Sequence, residues 1–140
     1  AVGTRNTLTI NTLGVAASPA WTAEAEFTAM EKLQALITPH AWTCYVLTGG
    51  FLESSDRSGV TYFFRKLRPT LALKATADRS DTKILAALCL HPIGYYEGTW
   101  GGVMVPTDDV IAHLTLMRGD EHFYWRRCNQ HPMHAREAGL

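Results

Sequence analysis

The fold is decided by residues 51–75, whose sequence is FLESSDRSGVTYFFRKLRPTLALKA. Short apolar segments with a period of two residues alternate here with polar breaks, which is typical of β-strands joined by turns. The polar stretch 54–59 before the strand-like segment 60–67 indicates a hairpin. Pro69 ends that segment, and residues 70–74 then resume the alternation. This pattern predicts consecutive strands of one antiparallel sheet.

Helical signals precede these strands. Ser18-Pro19 and Thr38-Pro39 each place a capping side chain directly before a proline, a pattern that begins helices. In the first helix the predicted buried stripe has helical spacing and consists of Phe27, Met30, Leu33 and Ile37. We favour a second helix before Gly49-Gly50, although the Thr, Tyr and Val in this segment also suit a strand.

The C-terminal half predicts core and further helices. The apolar run 84–90 fits a strand or a helix and belongs to the core in either case. Thr107 with two following aspartates predicts a helix start, and Asp120-Glu121 predicts a last helix that ends before Pro132. We therefore predict one α+β domain spanning residues 1–140. It contains a small antiparallel sheet of about four to five strands, flanked by an N-terminal and a C-terminal helix pair.

The two ends of the chain are predicted to differ from this body. Leu8 and Ile10 alternate with threonines, so residues 1–16 are predicted to be an N-terminal arm or an edge strand. Such a strand would pair with its own sheet or with the sheet of a neighbouring copy. Residues 133–140 are predicted to be a mobile tail.

The composition argues against some classes of partner. Thirteen basic and thirteen acidic residues cancel in this chain of 140 residues, so nucleic-acid contact would need a local basic patch. No apolar run reaches the roughly 18 residues that cross a bilayer, and we expect no membrane partner. Three widely spaced cysteines fit a reducing compartment, so we expect a soluble, cytoplasmic protein.

The sequence lacks the motifs of several enzyme classes. It has no phosphate-binding glycine loop, no Gly-x-Ser-x-Gly elbow and no His-Glu-x-x-His pair, so we expect no catalytic role. A small enzyme stays open as an alternative, because His113 lies four residues after Asp109 and would share its helix face. His91 and His122 are the other candidate bases. The carboxylates near these histidines are explained equally well as first-turn charges of two helices: Asp108, Asp109, Asp120 and Glu121.

A metal site is a second possibility. Cysteine and histidine recur at chelating spacings, and the four candidate ligands are Cys89, His91, Cys128 and His131. Two such pairs would form a closed tetrahedral zinc site with a structural role. Core cysteines and surface histidines explain the same residues, so we expect no cofactor and keep structural zinc as the alternative.

A basic and aromatic surface is a third possibility. Aromatic side chains in the segment 60–67 lie next to cations, and Tyr124-Trp125 precede two arginines. Single-stranded nucleic acid is bound by such stacking surfaces with phosphate-binding cations, here Arg65, Lys66, Arg68, Arg126 and Arg127. In a strand, however, one of the two faces is simply core.

The segment from His91 to Gly102 is a predicted glycine-punctuated loop that carries Tyr95, Tyr96 and Trp100. Aromatic residues on a long loop suit a protein interface, although they would also hold the loop onto the core. We therefore predict a non-catalytic binding or assembly module. The aromatic loop and the N-terminal strand would contact a protein partner or another copy, with the nucleic-acid domain and the small enzyme as alternatives.

Overall fold

Four helices and five strands make up the part of the chain that the structure describes. The computed structural model describes residues 21–78, 81–90 and 104–131. The helices are α1 Ala23–Leu36, α2 Pro39–Thr48, α3 Pro106–Gly119 and α4 Glu121–Arg127. The strands are β1 Gly50–Ser54, β2 Thr61–Arg65, β3 Thr70–Ala75, β4 Thr82–Cys89 and β5 Asn129–His131.

The strands form one antiparallel sheet in the order β1-β2-β3-β4-β5. The first four strands follow one another as a meander. After α3 and α4, β5 returns to pair with β4, with Asn129 opposite Cys89. The predicted α+β class with a small antiparallel sheet is confirmed, and β1 and β5 are the edges of the described sheet.

The main core lies on the sheet face that the helices cover. Its largest members are aromatic side chains in series: the rings of Tyr45 and Phe51 lie 6.0 Å apart, those of Phe51 and Phe64 5.4 Å, and those of Tyr62 and Tyr124 5.9 Å. Leu33 from α1 and Leu114 from α3 complete this core. The opposite face carries one row of cross-strand neighbours, namely Leu52, Phe63, Leu71 and Ala87.

The predicted inner face of α1 is partly wrong. Phe27 is 61% exposed, whereas Glu26 is only 2% exposed and lies beside Ala29 and Leu33 on the buried face. Glu26 is buried because polar groups at the start of α3 bind its carboxylate. The helix begins after Thr22, whose hydroxyl accepts a hydrogen bond from the Ala25 amide, while Ser18-Pro19 lie outside the described residues.

Other element boundaries also differ from the prediction. The segment 39–48 is a helix as favoured, and the undecided run 84–90 lies largely in β4. Thr107 does not cap α3, because Val105 occupies the N-cap position. The last helix stops at Arg127, since Cys128 is extended and the next three residues pair with β4.

The predicted flanking helix pairs are confirmed in part: two helices precede the first four strands and two follow them, but β5 comes after the last helix and α1 packs against α3. No helix in the described ranges is long and apolar enough to cross a membrane. The predicted arm 1–16, most of the loop from 91 to 102, and the tail 133–140 lie outside the described residues. Those predictions, and that of a single domain, stay predictions.

Candidate functional site

The outer edge of β1 offers backbone groups for pairing. The Lys66 amide donates to the Gly49 carbonyl and the Ser55 amide donates to the Val60 carbonyl, so every second residue of β1 bonds to β2. The groups of Gly50, Leu52 and Ser54 therefore point away from the sheet. The Thr48 hydroxyl already bonds both the amide and the carbonyl of Gly50.

The remaining outward groups belong to Leu52 and Ser54. Within the described ranges, neither residue makes a backbone hydrogen bond on this side of β1. Among the described residues, two amides and two carbonyls thus lack a backbone partner, and an added strand would pair with them. The Leu52 side chain is also 59% exposed, so this edge combines unpaired backbone with an apolar surface.

An apolar groove of about 430 Å³ lies between α2 and β1. One wall is the outer side of α2, and the other consists of side chains from the first three strands. The groove is lined by Thr38, His40, Ala41, Cys44, Thr48, Gly50, Phe51, Leu52, Phe63 and Leu73. Its size is within the range of ligand-binding clefts, and its floor is aromatic and aliphatic.

The position of α2 follows from local sequence. Thr38 caps the helix through the Ala41 amide, and Pro39 occupies its first turn. Gly49 ends the helix with a φ of 81°, a left-handed conformation that suits glycine, and the chain enters β1 directly. Within the groove, the Cys44 thiol lies 3.7 Å from Nε2 of His40, one helical turn earlier. The only polar groups on this wall are therefore hydroxyls, a thiol and an imidazole.

A first buried carboxylate, Glu26, has a structural role. It accepts hydrogen bonds from the Thr107 amide at 2.8 Å and from the Thr107 hydroxyl, and it pairs with Lys66 at 3.2 Å. The Tyr45 hydroxyl bonds the same Thr107 hydroxyl at 2.6 Å. Because Val105 cannot cap α3 with its side chain, Glu26 supplies the missing cap from another helix.

A second buried carboxylate, Glu121, anchors the β1–β2 turn. It accepts hydrogen bonds from the hydroxyls of Ser55, Ser58 and Tyr62. Burial alone would raise the pKa of this carboxyl, but the hydroxyl donors, led by Ser58 and Tyr62, outweigh it, so the pKa lies below its usual value. Glu121 is therefore a charged acceptor and a poor proton donor, which does not fit a general acid.

The histidine–carboxylate pair of the enzyme alternative lies inside the protein. Both Asp109 and His113 are buried, and Nε2 of His113 lies 3.9 Å from Oδ2 of Asp109, beyond hydrogen-bond distance. Nδ1 of His113 instead contacts the Tyr124 hydroxyl at 2.6 Å and the Thr70 hydroxyl at 3.1 Å. These hydrogen bonds join α3 and α4 to β3. Neither Asp109 nor His113 lines the groove.

Asp120 and His122, which lie close to this pair in the sequence, have other surroundings. The Asp120 carboxylate accepts a hydrogen bond from the Phe123 amide and caps α4, while His122 is exposed. His91 lies outside the described residues. Asp120 thus has a structural role in α4.

The five predicted nucleic-acid contacts fall into two groups. Arg65 donates twice to the Pro69 carbonyl and lies over the Phe63 ring; burial, with Arg68 nearby, lowers its pKa to about 10. Lys66 pairs with Glu26. Arg68, Arg126 and Arg127 are exposed, the last two on α4. Two of the five cations thus have partners inside the protein.

Three of the four zinc candidates, Cys89, Cys128 and His131, lie within the described residues. Cys128 is buried, and burial raises the pKa of its thiol to about 12. Burial also raises the pKa of Cys89, while His131 is exposed on β5 opposite Ala87. No group of three or more His, Cys, Asp or Glu within residues 21–78, 81–90 and 104–131 could hold a metal ion. Because His91 lies outside those ranges, structural zinc stays a prediction.

The groove and the open edge were missed by sequence reasoning. Tyr95, Tyr96 and Trp100, the aromatic residues that it proposed, lie outside the described residues. A partial signal for the groove existed, because Leu52 and Phe63 belong to the predicted strands and one of the two strand faces must point away from the helices.

The chain matches no known protein family, no curated protein and no solved structure in comparisons with each. Its function is therefore argued from its own residues.

Proposed function

We propose that the protein is an assembly module whose strand β1 accepts an extended strand from a second copy. The observation that carries this proposal is the coincidence of the unpaired outward groups of Leu52 and Ser54 with the apolar groove beside them. Backbone pairing would provide a general attraction, and the groove would select apolar side chains.

The chemistry of the edge supports this proposal. Proteins commonly protect an exposed edge strand with lysine, proline or a bulge, because an open edge pairs with other chains. Here the residue at the middle of β1 is an exposed leucine, and β1 contains no proline or lysine. Covering Leu52 would contribute roughly 1–2 kcal/mol, in addition to the hydrogen bonds of the added strand.

The first experiment compares two leucine-to-lysine variants. Leu52→Lys places a charge at the open edge, whereas Leu47→Lys changes a leucine that is 77% exposed and does not line the groove. Oligomeric state would be measured by native mass spectrometry and light scattering over a range of concentrations. We expect a concentration-dependent oligomer for the wild type and for Leu47→Lys, and at least about tenfold weaker association for Leu52→Lys.

Two outcomes would contradict the proposal. The first is a wild-type protein that stays monomeric at the highest concentration reached. The second is an oligomer that Leu52→Lys and Leu47→Lys weaken equally, because this would place the interface elsewhere. Thermal unfolding of both variants shows whether each remains folded.

A further inference from the structure

We infer that residues 7–13 of a second copy supply the added strand, with Leu8 and Ile10 in the groove between α2 and β1. This inference rests on the proposed function and identifies the segment that binds. In this arrangement, Ala41 and Cys44 on the α2 wall of the groove contact the apolar side chains of the added strand and select them by size.

The groove requires a particular kind of segment. Its walls offer aromatic and aliphatic carbon from Phe51, Phe63 and Leu73, with no lysine, arginine or carboxylate among the lining residues. The outward groups of Leu52 and Ser54 are two residues apart, so a bound strand runs along β1. The occupant must therefore be extended and uncharged, with apolar side chains on one face.

Residues 7–13, Thr-Leu-Thr-Ile-Asn-Thr-Leu, meet these requirements. In an extended strand, Leu8 and Ile10 would point to one face, and Thr7, Thr9 and Asn11 would point to the other. Threonine and isoleucine favour strands, and the segment contains no charge, proline or glycine.

Other parts of the chain fit less well. The strands β1 to β5 are already members of the sheet. Residues 91–106 contain four glycines and two prolines, which weaken strand pairing, and residues 132–140 lack an alternating apolar pattern. Among the remaining segments, 7–13 is therefore the one with strand chemistry.

Each copy would contribute one donor segment and one acceptor edge. Two copies can exchange segments in a closed dimer, or each copy can pass its segment to the next in a ring or a filament. In both arrangements the second copy supplies Leu8 and Ile10, which would complete a surface that the described residues of one chain leave open.

Cysteine trapping tests this contact directly. Because Cys44 lines the groove, a thiol at position 10 would lie beside it in the assembled protein, whereas a thiol at position 9 would point to the opposite face. Full-length Ile10→Cys and Thr9→Cys variants would be treated with a mild oxidant and analysed on non-reducing gels. We expect at least tenfold more covalent dimer from Ile10→Cys than from Thr9→Cys, and none when Cys44→Ser is added.

The outcomes separate this inference from the proposed function. If Leu52→Lys weakens assembly but Ile10→Cys and Thr9→Cys cross-link equally, the assigned segment is wrong and the edge interface stands. If Ile10→Cys forms only a cross-link within one chain, exchange between copies is wrong. If the wild-type protein is monomeric, the proposed function itself fails. Disulfide mapping by mass spectrometry identifies Cys44 as the partner.

Discussion

Glu26 shows why single residues in this protein cannot be interpreted from their local sequence. In α1 it occupies the first turn, where a glutamate ordinarily faces solvent and interacts with the helix dipole. Its burial depends on Thr107, which is 81 positions away in the chain. Periodicity predicted a buried Phe27, which is exposed, because the spacing of apolar residues contains no information about a distant helix cap. The buried face of α1 thus combines the apolar Ala29 and Leu33 with a carboxylate that binds α3.

Removing the Glu26 carboxylate should therefore destabilise the protein. Glu26→Ala leaves the Thr107 amide and hydroxyl without their acceptor and Lys66 without its partner. The expected loss is roughly 2–4 kcal/mol of unfolding free energy, from a lost cap and a buried unsatisfied donor. Urea unfolding would measure it. The control Glu24→Ala, in the same turn but exposed, should change stability by less than about 0.5 kcal/mol, and equal effects would refute this role.

Glu121 should make stability depend on acidic pH. Its folded-state pKa is depressed, so its stabilising effect is fully present above the pKa of an unfolded glutamate, about 4.3. The effect is lost as the pH falls through the folded pKa. Glu121→Gln should reduce stability by about 1–2 kcal/mol at pH 7. The difference from wild type should shrink below pH 4, measured by urea unfolding at each pH. A difference that stays constant down to pH 2 would contradict this assignment.

At the scale of elements, local sequence correctly predicted α2 and the first three strands. Thr38-Pro39 and Gly49 define α2, and the alternation of residues 51–75 defines β1 to β3. The elements that local sequence left undecided or did not predict are those set by distant pairing. β5 has only three residues and exists because it pairs with β4, and the apolar run 84–90 became a strand because β3 and β5 lie on either side of it.

Two glycines illustrate the difference between packed and open elements. A Cβ at Gly50, the first residue of β1, would lie 2.8 Å from the Phe64 carbonyl oxygen and 2.7 Å from the Phe63 ring. Gly50→Ala must therefore shift backbone, and we expect a loss of about 1–3 kcal/mol. Gly119, at the end of α3, has open space around it, so Gly119→Ala should be neutral or stabilise by up to about 1 kcal/mol. Thermal unfolding would compare them, and a harmless Gly50→Ala would contradict this packing.

The candidate site belongs to the whole molecule, and this is why the sequence did not predict it. The edge position of β1 follows from the order of the five strands in the described part of the chain, and alternation within one segment carries no information about that order. The groove likewise combines a wall of α2 with Leu73 of β3, which alternation alone cannot bring together. The sequence could predict that Leu52 and Phe63 lie in strands, but it contained no information about what covers them.

The reactivities of the three cysteines depend on where the fold places them. Cys44 lines the open groove, Cys89 is half-buried, and Cys128 is buried with its thiol pKa raised to about 12, so a thiol reagent at pH 7.5 should modify Cys44 first and Cys128 last. If a second copy fills the groove, modification of Cys44 should slow as the protein concentration rises, while Cys128 should react only as fast as the protein unfolds. Leu52→Lys should abolish the concentration dependence and Leu47→Lys should retain it, as followed by mass spectrometry of intact protein and peptides. A Cys44 rate that is independent of concentration in an assembled wild type would place the interface away from the groove.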